Sequence, residues 1–272
     1  PHMVAPGGRQ RWEFMLKPGE RPEEMERPES IRRLLAPWCD VDKVRIERTA
    51  VYRFQAREAR SFSNGRCFLA GDAAHVTPPF AGQGLVAGLR DVANLAWKLA
   101  WVVRGQADAR ILDSYDAERR PHARKIINLA RFLGALVMPG NRAAAFVVHG
   151  LMSALRLLPA GRRLFEDLKV KPANTFDTGL FWRDKQAERL RAGSTLPQGW
   201  VRTATGGVPL LSDDALGLHW ALIGMGVDPA APLPTDELER WRRAGGKVWQ
   251  WCHRSQALHL APAARRIEAL DE

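Results

Sequence analysis

A chain of 272 residues with 46% hydrophobic content is long enough for about two domains with their own cores. No apolar run approaches the roughly 20 residues of a membrane-spanning helix, no secretory leader opens the chain, and Cys39, Cys67 and Cys252 are too few, too far apart and odd in number for a disulfide scaffold or a zinc site. The net charge of +11 invites nucleic acid, but 33 of the 41 basic residues are arginines scattered as singles and pairs without interleaved aromatics; the expectation is no nucleic-acid partner, no membrane and a reducing cytoplasm.

Gly7-Gly8 is a hairpin turn signal between residues 2–6 and 9–16, and Trp12, Phe14 and Leu16 give the second arm one aromatic and apolar face. Residues 19–30, rich in Glu, Arg and Pro, read as loop, and 31–38 as a short helix interrupted at Pro37. Residues 44–57 read as a strand, with Tyr52, Phe54 and Ala56 opposite Val51, Arg53 and Gln55. The apolar run Cys67-Phe68-Leu69-Ala70 predicts a short buried strand ending at Gly71, where a missing Cβ permits a sharp turn. Asp72 follows at its carboxyl end, the place where open α/β sheets bind ligands, and its carboxylate can accept a hydrogen bond from a ribose or ribityl hydroxyl.

From Gln83 onward, Leu85, Leu89, Val92, Ala96, Leu99 and Val103 recur at alternating spacings of four and three, the pattern of an amphipathic helix that Gly105 stops. Leu85, Leu89 and Val92 are expected in the core, with Arg90, Asp91 and Asn94 on the other side in solvated or intersubunit salt bridges, or in contact with the rest of the domain. Gly82 and Gly84 leave the unpaired N–H groups and positive dipole end of this helix open to anything negative. They also spell G-x-G-x-x-x-G with Gly88, yet they follow a Pro-Pro loop rather than a strand and no ribose-binding acid follows, so a Rossmann fingerprint is rejected.

A helix is expected from about residue 109, with Pro121 either opening a second helix or kinking the first. The apolar runs up to Val137 and over 142–158 can pack on the rest of the chain or on a second subunit in a homodimer. Residues 169–200 read as a connector. Strand 220–224, helix 235–244 and strand 247–252 form a βαβ pattern without C-x-x-C, so thiol redox chemistry is not expected there. The fold class is α/β, in a mixed α+β arrangement.

GDAAH at 71–75, PPF at 78–80, GQG at 82–84 and RDVANLAWKL at 90–99 resemble the second FAD-binding signature of the flavin-dependent aromatic hydroxylases, the group that includes p-hydroxybenzoate hydroxylase. LDSYDAERRPHA at 112–123, GLFW at 179–182 and LPQGWV at 196–201 resemble the 3-(3-hydroxyphenyl)propionate hydroxylase branch, whose members carry a C-terminal thioredoxin-like domain. The resemblance spans most of residues 9–260. It implies a substrate-domain sheet over 1–60, an FAD-binding portion over 61–140, a helical segment and connector over 141–192, and a partial thioredoxin-like domain over 193–272.

The same resemblance implies FAD as cofactor and NADH or NADPH as co-substrate. Dioxygen would add at flavin C4a, and the hydroperoxide would hydroxylate a phenolic small molecule without metal. Gly71, Asp72, Pro79, Gly82, Gln83, Gly84, Leu85 and Val86 are the implied cofactor contacts. Val86 stands where many relatives carry Asn, which leaves only its backbone N–H for that purpose. A backbone carbonyl of Pro78 or Pro79 would orient the phenol as the catalytic element, and Trp12, Tyr52 and Phe54 would line the substrate pocket. His75 reads as a packed structural residue, and Arg119, Arg120 and His122 as braces between helix and flavin domain.

Two features typical of the family, a G-x-G-x-x-G βαβ opening and a later Asp-Gly segment, are not found in this sequence. With Pro1-His2-Met3 opening inside a hairpin, they suggest a fragment that lacks the N-terminal Rossmann part. The alternatives are a hydroxylase of polyketide or chlorinated phenols, and a remnant of the fold without redox activity.

Overall fold

The structure is a computed structural model and describes residues 2–139, 141–157, 172–182, 191–203, 207–253 and 265–270. The chain divides into two compact units, residues 1–55 and 56–272.

In the first unit β1 (His2–Ala5) pairs antiparallel with β2 (Arg9–Trp12), Ala5 opposite Arg9. Gly7 and Gly8 take φ of 76° and 72° in the loop between them, a left-handed conformation that favours glycine. Two helices follow, α1 (Pro22–Met25) and α2 (Pro28–Leu35), where the sequence reading expected loop and a later helix. Each begins on a proline at its first position. There the missing N–H is one that no helical carbonyl needs, so these prolines open helices instead of breaking them.

Residues 44–56 form no strand. Alternation tells which side chains share a face, but a strand also requires a neighbouring strand for its N–H and C=O groups, and no strand among the described residues pairs with this stretch.

The second unit begins with short pairings: β3 (Arg57–Glu58) with β6 (His75–Val76), and β4 (Ser63–Asn64) with β5 (Cys67–Phe68). The expected buried strand over 67–70 is therefore a two-residue hairpin arm with Cys67 exposed. Helix α3 (Gly84–Val103) matches the expected span and ends before Gly105 at φ 68°.

Its buried face is the opposite of the one expected. Ala87, Asp91, Leu95 and Lys98 are buried, while Leu85, Leu89 and Val92 are 79%, 61% and 54% exposed. A period of 3.6 marks two faces without saying which one turns inward. That choice is made by α4 (Asp113–Val137), which places Glu118 against Lys98 and Arg119 against Asp91.

Helix α4 runs unbroken through Pro121. Proline has no N–H to give the carbonyl four residues earlier, and the Thr178 hydroxyl donates to that Ala117 carbonyl at 3.0 Å. The segment carrying Thr178 is fastened again where Leu180 N–H donates to Glu118 Oε1 at 2.8 Å. Helix α5 (Arg142–Leu157) leaves Phe146, Val147 and Leu151 exposed.

The C-terminal part is a five-stranded sheet of β7 (Trp200–Thr203), β8 (Leu210–Leu211), β9 (Ala221–Met225), β10 (Lys247–His253) and β11 (Arg266–Ala269), in the order β8-β7-β11-β10-β9. Strand β10 is parallel to both β9 and β11; β7 runs antiparallel to β11 and β8. Between strands come α6 (Ser212–Leu216) and α7 (Thr235–Arg243), and β9, α7 and β10 form the βαβ unit read from the sequence. Val201, Leu216, Trp249 and Ile267 make the core. Trp220 joins this part to α3, its ring centroid 5.0 Å from Trp97 and 5.1 Å from Trp101. Among the described residues no helix is long and apolar enough to cross a membrane.

Candidate active site

Residues 71–73 form one tight turn at the end of the β4–β5 arm. Gly71 sits at φ 57°, and Ala74 N–H closes the turn onto the Gly71 carbonyl at 2.9 Å. The turn rests on α3 backbone to backbone, since a Cβ at Gly88 would lie 3.2 Å from Gly71 Cα. On this support Asp72 is exposed, and its carboxylate has no hydrogen bond or ion pair among the described residues.

Beneath the turn lies a buried charge cluster. Asp91 Oδ2 accepts from Gly71 N–H at 3.0 Å and from His75 Nε2–H at 2.6 Å, and Oδ1 accepts from Arg119 Nε–H at 2.9 Å. Burial by itself would raise the Asp91 carboxyl; the hydrogen bonds from His75 and Arg119 outweigh it and hold the group below the ordinary carboxylate value. His75 thus has the structural role expected from the sequence, and Arg119 braces the two helices.

Lys98 donates to Glu118 Oε2 at 2.6 Å and to Asn94 at 2.9 Å; desolvation pulls its ammonium below the usual value and Glu118 partly restores it. His122 is buried, neither ring nitrogen has a hydrogen-bond partner among the described residues, and burial together with Arg119, Arg90 and Lys125 lowers it to about 4. Arg120 turns instead to Asp116 on its own helix. Burial pushes the Tyr115 phenol well above its ordinary value, and its hydroxyl donates to the Leu69 carbonyl at 2.7 Å.

The Pro-Pro loop continues as a tight turn over 79–81, with Gly82 at φ 59° and Gly82 N–H on the Pro79 carbonyl at 2.9 Å. Pro78 is buried and Pro79 exposed. The Phe80 ring seats this loop on α4 so closely that a Cβ at Gly134 would stand 2.7 Å from it. Gln83 precedes α3 but does not cap it with its side chain, which leaves the first-turn N–H groups of Gly84, Leu85 and Val86 without a side-chain cap. A Cβ at Gly82 or Gly84 would meet nothing within 4 Å, so open space lies over this backbone.

An exposed unpaired carboxylate, an uncapped helix start and open space above glycine backbone fit a cofactor with sugar hydroxyls and a polar ring. Gly71, Asp72, Pro79, Gly82, Gln83, Gly84, Leu85 and Val86 are thus carried on one framework of turn, loop and α3. Trp12, Tyr52 and Phe54 belong to the first unit. Tyr52 and Phe54 stack at 6.5 Å and are 54% and 55% exposed, and Trp12 stacks on His2 at 4.8 Å.

The sequence reading missed Asp91 as the hub of the site. The available signal was a polar stripe, Asp91, Asn94 and Lys98, along one line of an otherwise apolar helix.

Residues 3–130 match the family of the FAD binding domain, and residues 193–271 match the HcaD C-terminal domain. The 3-(3-hydroxy-phenyl)propionate/3-hydroxycinnamic acid hydroxylase 2 of Burkholderia vietnamiensis is 41% identical over 241 residues, 88% of this chain and 44% of that protein. A hydroxylase of the same description from Klebsiella pneumoniae is 39% identical over 90% of this chain and 44% of its own length. Over most of its length this chain is similar to FAD-dependent aromatic hydroxylases. It spans about 44% of the length of those relatives.

Among solved structures, the ternary complex of aklavinone-11 hydroxylase with FAD and aklavinone matches with a TM-score of 0.63 at 26% identity, over 86% of this chain and 42% of that one. BexE, studied for oxidation during BE-7585A biosynthesis, matches with a TM-score of 0.67 at 26% identity, over 92% and 50%.

Proposed function

We propose that this chain is the part of an FAD-dependent monooxygenase that carries the second flavin contact, and that the whole protein hydroxylates a phenolic aromatic acid such as 3-(3-hydroxyphenyl)propionate. The observation that carries the reading is Asp72, unpaired and exposed on the Gly71 turn beside the uncapped start of α3. It lies in a stretch 41% identical to a hydroxylase of that substrate.

FAD, when bound, supplies the activation of dioxygen with electrons from NADH or NADPH. The protein's part is placement and charge. Asp72 accepts a hydrogen bond from a sugar or ribityl hydroxyl, and the N–H groups of Gly84, Leu85 and Val86 stabilise negative charge on the ring. Gly82 leaves room for close approach, a backbone carbonyl at Pro78 or Pro79 orients the phenol, and Trp12, Tyr52 and Phe54 offer aromatic surface to the substrate. A polyketide phenol is the second reading, supported by the likeness to aklavinone-11 hydroxylase at 26% identity.

Exchanging this chain for the matching segment of the Burkholderia relative tests the reading. The exchanged protein should keep a visible flavin spectrum and couple NADH oxidation to hydroxylation of 3-(3-hydroxyphenyl)propionate. NADH oxidation that yields only peroxide would reject the substrate, and failure to retain flavin would reject the cofactor assignment.

A further inference from the structure

We propose that Asp91 is a positioning residue for the flavin contact: its buried carboxylate fixes the Gly71 turn and thereby the direction in which Asp72 points. This rests on the reading that Asp72 meets the flavin. Both ends of the turn converge on one oxygen, Asp91 Oδ2, through Gly71 N–H at 3.0 Å and His75 Nε2–H at 2.6 Å. Arg119 anchors the other oxygen at 2.9 Å and sets the rotation of the carboxylate. Asp91, His75 and Arg119 are all buried, so no water competes for these bonds.

The flanking backbone is fastened independently. Tyr115 hydroxyl holds the Leu69 carbonyl at 2.7 Å, and Ala59 N–H donates to the Ala74 carbonyl at 2.8 Å. What Asp91 adds is a partner for the N–H of left-handed Gly71, which ties the turn that Ala74 N–H closes and Gly88 supports to one point on α3. Asp72 projects from that turn with no partner among the described residues, so its aim is inherited from Asp91 across α3.

The test is a double-mutant cycle on the 272-residue chain, read as the FAD dissociation constant from flavin fluorescence quenching, beside the melting temperature. Asp72→Asn and Asp91→Asn should each weaken FAD by about tenfold to a hundredfold. The double variant should be no weaker than Asp72→Asn alone, because Asp91 acts through Asp72. Equal weakening by Asp91→Asn in both backgrounds overturns the proposal, since a merely structural loss adds.

His75→Gln keeps an N–H donor near Asp91 and should hold FAD within about twofold of the parent, whereas His75→Phe should behave like Asp91→Asn. If both bind FAD as the parent does, the proposal fails. Amide hydrogen exchange covers the case in which the parent chain shows no saturable FAD binding, an outcome that counts against the function proposed above. Faster exchange confined to residues 69–76 in Asp91→Asn then supports the positioning role, and unchanged exchange there overturns it.

Discussion

The interior between α3 and α4 and the core of the C-terminal sheet belong to one unit and are built on opposite principles. The first buries Asp91, Lys98, Glu118, Arg119, His75 and His122 around a small apolar cluster of Phe62, Ala74, Leu95, Tyr115 and Ala123. The second is closed by Val201, Leu216, Trp249 and Ile267, with Ser212 and Gln250 as its buried polar side chains among the described residues. Apolar burial is non-directional and holds a sheet together without fixing any particular loop. Buried ion pairs gain little net stability, but they have one geometry, and here that geometry ends at the Gly71 turn and at the 172–182 segment.

Lys98→Ala should show the contrast at its largest. It leaves Glu118 charged and buried, and should cost about 3–5 kcal/mol in urea unfolding. A cost below about 1 kcal/mol would mean that the pair is solvated and the contrast is wrong.

The next effect depends on pH. His122 is neutral in the fold, with its value lowered to about 4 against about 6.5 unfolded, so the unfolded chain binds the extra proton between those values. The stability it contributes is fully present above pH 6.5 and is lost as pH falls to 4, by about 3 kcal/mol. His122→Leu should flatten that slope, which urea midpoints at pH 7, 5.5 and 4.5 would reveal; an unchanged slope would assign it to other groups.

Ile267→Val removes one methylene from the apolar core and should cost about 0.5–1.5 kcal/mol without altering FAD affinity. Weaker FAD binding in that variant would break the separation between the two regions. Arg240→Ala on α7 removes an exposed pair with Asp236 and should shift stability by about 0.5 kcal/mol or less in the same unfolding assay.

Much of this architecture was legible in the chain. The span of α3, its stop at Gly105, the hairpin at Gly7-Gly8 and the β9–α7–β10 unit follow from period, glycine and turn chemistry, which are local properties. The GDAAH and GQG segments also marked the turn and helix start that the structure carries on one framework. What failed were statements about partners. Tyr52 and Phe54 alternate as a strand would, yet the described chain offers them no neighbouring strand. Pro22 and Pro28 looked like loop residues until their place at a helix start was known.

The sequence by itself determined where the long helices run, which residues form the Asp72 turn, and the family that the chain resembles, because each depends on neighbours a few residues apart or on a linear motif. Only the tertiary structure decided which face of α3 is buried, that Asp91 joins Gly71, His75 and Arg119, and that Thr178 fills the bond Pro121 leaves open. Those contacts join residues 16 to 61 positions apart. A hydrogen bond at such separation exists only once packing has brought its donor and acceptor together.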